Sequence, residues 1–322
     1  MKKFIKGLFK FAVVAGTLFA GASWAMFAFF LKRKKDVDPE TDVKVDLINE
    51  NTVTDDYKML DIKGWKWEQA HKDIYERLEI TSDDGLKLVG HFFNQGAEKT
   101  ALMVHGINAW HGSRLYGSQV YFEEGYNILA VDQRMYGESE GSYCTMGYKE
   151  SDDMMLWMKL LTEEKGQKQI IMDGVSMGAA TVTVCSGRDD LPDEVIGIVA
   201  DCGYTSTKDM MEHQLRHGYR IPVSFPFVDL VKLYAERIGK FPVDERTPLQ
   251  MVAEARVPML FIHGTADTFV PYDMVDELYN ACVSEKDILR VEGAVHALSC
   301  LKDPKGYKDA VKAFIHKVER SA

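Results

Sequence analysis

At 322 residues and 46% hydrophobic content, the chain can bury one large core; a single catalytic domain of roughly 250 residues plus an N-terminal appendage fits that size. Its net charge of −10 conceals an asymmetry, because residues 1–35 hold eight Lys/Arg and no acid, leaving 31 basic against 49 acidic residues, a balance of −18, for the remainder. A body that acidic argues against nucleic acid as a partner, since phosphate binding needs a basic footprint.

Phe11 through Leu31 is 21 residues without a charge. As a helix rising about 1.5 Å per residue it would cover about 30 Å, one hydrocarbon core. Lys2, Lys3, Lys6 and Lys10 precede it, and Lys32, Arg33, Lys34 and Lys35 follow. A secretory signal cut after Ala20-Gly21-Ala22 is the rival, but Met26 to Leu31 continues the apolar run past that site. The segment 1–35 therefore reads as an uncleaved, single-pass helix in contact with membrane lipid, which puts the protein at the cell membrane. Cationic N-tails usually stay inside, which favours an extracytoplasmic catalytic domain; the Lys32–Lys35 cluster and free cysteines pull the other way. Residues 36–56 are acidic and poor in aromatics, as in a spacer. A folded domain, 57–322, starts near Tyr57, where Trp65, Trp67, Ala70, Ile74 and Leu78 fall at roughly helical spacing.

From Leu78 the chain alternates. Leu78–Thr81 and Leu86–Phe93 flank Asp84-Gly85, a hairpin signal. Apolar runs follow at Ala101–Val104, Asn127–Val131, Ile170–Met172, Val195–Ala200, Met259–Ile262 and Asp287–Val291, separated by turns and helix-like stretches. Continuous apolar strands between helices predict a mostly parallel sheet covered on both faces. In such sheets ligands sit beyond the carboxyl ends of the strands. Between Cys202 and Val257 two helix-like stretches, broken by Ile221 to Phe227, predict a small helical cap (203–250). Its Phe225, Phe227, Tyr219 and Tyr234 are candidates to line an apolar substrate pocket or, equally, to pack the cap onto the core.

The residues just after the strands carry the chemistry. Gly174-Val175-Ser176-Met177-Gly178 follows Ile170-Ile171-Met172 and opens a small-residue helix, so Ser176 sits at a tight strand-to-helix corner with its hydroxyl above the sheet. His105-Gly106-Ile107, Asp132-Gln133-Arg134, His263-Gly264-Thr265-Ala266-Asp267 and Gly293-Ala294-Val295-His296 follow other strands. A serine nucleophile needs a base to take its proton and an acid to orient that base. His296 in a late loop and Asp267 in the loop before it can supply both. Asp201 is the rival acid, and His105, His263 and His316 the rival bases; the first two histidines read as turn residues and His316 as part of the last amphipathic helix. Asp132 and Arg134 read as loop braces. His213 and His217 lie four apart without the Glu of a zinc motif and read as a helix face. The five cysteines, Cys144, Cys185, Cys202, Cys282 and Cys300, contain no C-x-x-C and read as buried small hydrophobes.

These five motifs, in this order, resemble the α/β-hydrolase superfamily over residues 78–318, above all bacterial, often membrane-anchored serine hydrolases of the esterase/lipase and prolyl-oligopeptidase-like type. The resemblance implies an α/β-hydrolase fold with Ser176 as nucleophile, Asp267 as acid and His296 as base. It further implies an oxyanion hole made by the backbone N–H groups of Ile107 and Met177. The glycine run that follows His-Gly in lipases is absent, since Ile107-Asn108 stands there. The function read is a membrane-anchored serine esterase that cleaves a small-molecule carboxylic ester through an acyl-enzyme, with no metal and no organic cofactor. A prolyl-oligopeptidase-like peptidase, a thioesterase, an acyltransferase and a catalytically idle membrane-bound binding module remain open at this stage.

Overall fold

A computed structural model describes residues 16, 17, 19–25, 27, 28, 31, 32, 55–218, 220, 221 and 225–321. Helix α1 (Asp56–Ala70) starts at Asp55, whose carboxylate accepts the N–H groups of Tyr57 and Lys58, satisfying donors that the first helical turn leaves open. The helix stops at Ala70, so the helical spacing read on to Leu78 breaks: Ile74 ends a short 3₁₀ turn and Leu78 lies in a strand. Strands β1 (Tyr75–Thr81) and β2 (Lys87–Phe93) form the predicted antiparallel hairpin. Gly85 takes φ 84° at its tip, a value that favours glycine.

The chain then winds through β3 (Lys99–Val104), α2 (Gly112–Glu123), β4 (Asn127–Asp132), α3 (Tyr148–Lys159), β5 (Gln169–Val175), α4 (Met177–Ser186) and β6 (Val195–Asp201). Two cap helices follow, α5 (Thr207–His213) and α6 (Phe227–Tyr234), each extended by one wider turn, and then α7 (Pro248–Val252). The chain closes with β7 (Met259–Gly264), α8 (Asp273–Ala281), β8 (Lys286–Val291), α9 (Ser299–Lys302) and α10 (Pro304–Glu319). All eight strands coincide with the predicted runs. Their order is β1-β2-β4-β3-β5-β6-β7-β8, with β2 antiparallel to both neighbours and every other pair parallel.

Strands buried on both faces explain why their sequences run apolar rather than alternate. On one face, Phe92, Met172 and Phe261 pack against Trp157 of α3, Val182 of α4 and Leu278 of α8. On the other, Ile171 and Leu260 meet Tyr121 of α2, Phe314 of α10 and Leu60 of α1. Each side chain so buried contributes roughly 1.5–3 kcal/mol. From β3 the sheet extends to β4 on one side and β5 on the other, so the winding reverses there and a crevice opens at the carboxyl ends of β3 and β5. His105-Gly106-Ile107 and Ser176 lie at that crevice.

Buried charge ties the loops to this frame, as expected of Asp132 and Arg134. The Arg134 guanidinium grips Asp153 through two hydrogen bonds of 2.7 Å and reaches Asp84 at 3.0 Å. Asp132 accepts from the His111 backbone (2.9 Å), the His111 ring (3.1 Å) and His91 (3.3 Å). Glu68 of α1 stands 3.6 Å from the far nitrogen of His111, so one histidine links α1 to the sheet. Burial alone would discharge His111, but Asp132 and Glu68 outweigh it and raise its pKa to about 9.

The proposed membrane span, 11–31, falls partly outside the described residues, and among those described no helix is long and apolar enough to cross a membrane. Some of its described side chains pack against the cap. Phe19 meets Phe227 edge-on at 5.0 Å, Trp24 meets Tyr234 at 5.5 Å, and Phe27 and Leu31 are fully buried. The Cys144 N–H donates to the Leu31 carbonyl at 2.9 Å. All five cysteines are buried, as read from their spacing.

Helix α4 passes close over β3: a Cβ on Gly178 would run into the carbonyl oxygens of Val104 and His105. Gly178→Ala should therefore destabilise the fold by about 1–3 kcal/mol, read as a lower urea midpoint at an unchanged m-value.

Candidate active site

The corner between β5 and α4 forces Ser176 to φ 56° and ψ −117°, a region that costs a non-glycine residue energy and is kept only where surroundings over-determine it. The Ser176 N–H donates to the Asp201 carbonyl at 2.8 Å, which pins the turn. Gly106 lies against it, since a Cβ there would stand 3.1 Å from the Ser176 Cβ. The serine side chain thus projects beyond the sheet, beside Ile107. The Met177 N–H is the first of helix α4 and has no acceptor within the helix.

Residues far apart in the chain meet at this corner. His296 Nε2 lies 2.9 Å from Ser176 Oγ, and His296 Nδ1 lies 2.7 Å from Asp267 Oδ2. Asp267 is buried, and its other oxygen accepts the backbone N–H groups of Phe269 and Val270, both at 2.9 Å. Burial pushes its pKa up, but hydrogen bonds from His263 and His296 outweigh that and hold the carboxyl well below the usual range. An ionised Asp267 only accepts, so His296 carries its proton on Nδ1 and presents a bare Nε2 to the serine hydroxyl.

The rivals fall elsewhere. The Asp201 side chain makes no bond to His296, and burial pushes its carboxyl up to about 7. His105 accepts the Gln133 N–H at 3.0 Å and is lowered to about 4 by burial, as befits a neutral loop brace. His316 pairs with Glu124 on the last helix, and His213 and His217 stack along α5. His263 is more than a turn residue, because its Nε2 lies 3.3 Å from Asp267 and 3.2 Å from the Val270 carbonyl. Its spacing of four from Asp267 was the available signal.

The pocket aromatics need correcting. Phe225 is 73% exposed, while Phe227 and Tyr234 turn toward the N-terminal segment, where the Tyr234 hydroxyl donates to the Ala20 carbonyl at 3.1 Å. None of the three lines the cavities that adjoin Ser176, and Tyr219 lies outside the described residues. Apolar partners in the N-terminal segment cover the faces of Phe227 and Tyr234 that sequence reading aimed at the serine. In their place stand Tyr57, Leu60, Asn108 and Phe269 on one side and Met210, Met211 and Tyr204 on the other. The Tyr57 hydroxyl also donates to the His296 carbonyl at 2.9 Å, steadying the loop that carries the base.

Among the described residues, two groups bring three potential metal ligands together. His91, His111 and Asp132 form one, but the two imidazoles stack with planes 18° apart, so their lone pairs run side by side instead of converging. Cys202 joins Asp267 and His296 in the other, where burial raises the thiol and keeps it protonated, a poor ligand. The first group reads as hydrogen-bonded scaffolding; the second is the Asp267–His296 pair with a protonated thiol beside it.

Comparison with known proteins agrees with this fold. A family model for the alpha/beta hydrolase fold matches residues 100–225, and one for serine hydrolases matches residues 195–298. Together with the esterase neighbours, these matches support an α/β-hydrolase superfamily serine hydrolase. The hydrolase is similar to an esterase of Pyrococcus furiosus, Pf2001, with 25% identity and a TM-score of 0.62 over 76% of this chain and 94% of that one. It is 25% identical to the uncharacterized protein YqkD of Bacillus subtilis over 96% of each chain. It is also 25% identical to the lysophosphatidylserine lipase ABHD12 of Danio rerio, over 60% of this chain and 50% of that protein.

Because the folded pKa of Asp267 is depressed, its stabilisation is fully present above the ordinary carboxylate value of about 4, declines below it and is lost as pH falls through the much lower folded value. Asp267→Asn should cost roughly 2–3 kcal/mol at pH 6, and the gap from wild type should narrow toward pH 2.5 in urea titrations at each pH.

Proposed function

We propose that this hydrolase cleaves a carboxylic ester by a covalent acyl-enzyme route, with Ser176, His296 and Asp267 as nucleophile, base and orienting acid. The observation that carries the reading is the unbroken chain of short hydrogen bonds from the Ser176 hydroxyl through His296 to a buried, ionised Asp267. Similarity to an esterase and to a lipase supports an ester over other acyl substrates.

In acylation, Ser176 Oγ bonds to the ester carbonyl carbon while its proton passes to His296 Nε2. The carbonyl oxygen takes the negative charge and is met by the Met177 and Ile107 N–H groups. The bond to the alcohol oxygen then breaks, and that oxygen leaves with the proton held by His296. Water adds to the acyl carbon, giving its proton to His296; the carboxylic acid departs as Ser176 recovers its hydrogen. Asp267 stabilises the imidazolium in both halves without taking the proton.

Ser176→Ala and His296→Ala should each lower turnover of p-nitrophenyl acetate by about 10⁴-fold or more with the circular dichroism spectrum unchanged. Asp267→Asn should lose less than either, and Asp201→Asn should stay within a few-fold of wild type. Ser176→Ala should also abolish labelling by a fluorophosphonate probe. Wild-type turnover in a folded His296→Ala protein would sink the assignment.

The same reading keeps the protein tethered to a membrane, on the strength of the charge-free run Phe11–Leu31 and its eight flanking Lys/Arg. Bilayer and cap compete for the aromatics of that run. A span should hold the full chain in the membrane pellet through alkaline carbonate, which strips proteins bound only by charge; release into the supernatant would assign the segment to the cap instead.

A further inference from the structure

The space around Ser176 divides into two arms that share Ser176, Ile107 and Phe269. The larger, about 390 Å³, runs between α1 and α2 toward Cys300. Its wall carries the phenol of Tyr57, the carboxylate of Asp61, the amide of Asn108 and the hydroxyl of Ser113. The smaller, about 30 Å³, lies under the cap and is walled by Met146, Met177, Met210, Met211, Tyr204 and Leu31. The polar atoms near the small arm are engaged elsewhere: the Tyr204 hydroxyl donates to the Met146 carbonyl at 3.0 Å and the Gln214 amide to the Phe269 carbonyl at 2.8 Å. One arm is therefore wide and carries polar groups among apolar ones such as Leu60, Val175 and Phe269, with Ser113 donating to Asp61 at 2.7 Å; the other is narrow and dry.

The chemistry decides which half of the ester enters which arm. The leaving alcohol oxygen must take its proton from His296, and His296 lines the wide arm and not the narrow one. Met177, whose N–H meets the carbonyl oxygen, lines the narrow arm and not the wide one. With the carbonyl carbon on Ser176 Oγ, the alcohol points between α1 and α2 and the acyl substituent points under the cap. A space of roughly 10–15 Å³ holds one water-sized group, so the narrow arm takes one or two carbons beyond the carbonyl. The wide arm falls within the roughly 300–1,000 Å³ of pockets that enclose whole ligands.

We propose that the substrate is an acetyl-sized ester of a large, hydroxyl-rich alcohol, such as an O-acetylated sugar. The methionine arm sets acyl length, and α1, through Tyr57, Leu60 and Asp61, forms the alcohol subsite. This rests on the roles given above to Ser176 and His296. Helix α1 precedes the hairpin that opens the sheet, so the subsite comes from a segment outside the repeating strand–helix pattern.

The test is kcat/KM of the full chain on p-nitrophenyl acetate, butyrate and octanoate, and on 6-O-acetylglucose against ethyl acetate. The wild type should fall at least tenfold from acetate to butyrate and further to octanoate, and should prefer the sugar acetate to ethyl acetate by tenfold or more. Met211→Ala, which lengthens the narrow arm, should raise the butyrate-to-acetate ratio about tenfold and leave the sugar preference alone. Tyr57→Ala should do the reverse, raising KM for the sugar ester while the chain-length profile holds. Octanoate turned over as well as acetate, or no sugar preference in the wild type, overturns the proposal even if either variant fails to fold. In those outcomes fluorophosphonate labelling of Ser176 still stands, so the hydrolase reading survives. A folded wild type that neither takes the probe nor cleaves any ester overturns both.

Discussion

Backbone touches backbone where helix α4 passes over strand β3, and the geometry of the site descends from that contact. The Gly178 Cα lies against the Val104 and His105 carbonyls, and Gly174 lies as close to the Gly178 carbonyl. With both positions bare, the chain turns from β5 into α4 within one residue, and that residue is Ser176 at φ 56°. The strain is held by a core in which every residue of α4 is buried. The same turn aims the open N–H groups and positive dipole end of α4 at the space above the serine, where an oxyanion would form.

A second constraint is the price of burying charge. Asp267 sits where an isolated carboxylate would take up a proton, yet two histidines and two backbone N–H groups keep it ionised. That ionisation sets the His296 tautomer, so the proton-accepting ability of Nε2 depends on hydrogen bonds made one and two residues away from it. Asp132, with His91 and His111, repeats the solution at the next crevice edge, where its purpose is to hold α1 and α2 on the sheet. Asp201 lacks such partners and is pushed toward neutrality. Of three aspartates at or just past strand ends, two are thus held ionised and one is pushed toward neutrality, and of the ionised pair only Asp267 touches His296.

Walls brought from outside the strand–helix repeat shape what reaches the serine. Helix α1 covers one side, and its Tyr57 both borders the wide arm and grips the loop of His296. The cap covers the other side with methionines, whose flexible thioethers fill irregular apolar space. Phe227 and Tyr234 of the cap face away, toward Phe19, Trp24 and Phe27.

The sequence by itself determined the eight strands, the strand-to-helix corner and the order of serine, aspartate and histidine. Those features are local: apolar runs record burial on both faces, and a glycine on each side of Ser176 records a turn with no room for side chains. Asp267 was favoured over Asp201 because Thr268-Phe269-Val270-Pro271 follows it, as in the loop of the family it resembles; that the Phe269 and Val270 N–H groups bond its carboxylate is shown only by the folded loop. Tertiary structure alone decided the rest. Tyr57 reaches His296 across 239 residues of chain, and nothing in the spacing of α1 announces it. The direction faced by Phe227 and Tyr234 depended on which apolar surface lay nearest, since an amphipathic cap helix buries its apolar stripe against whatever covers it. Side-chain type says that a surface will be covered; only the assembled chain says by what.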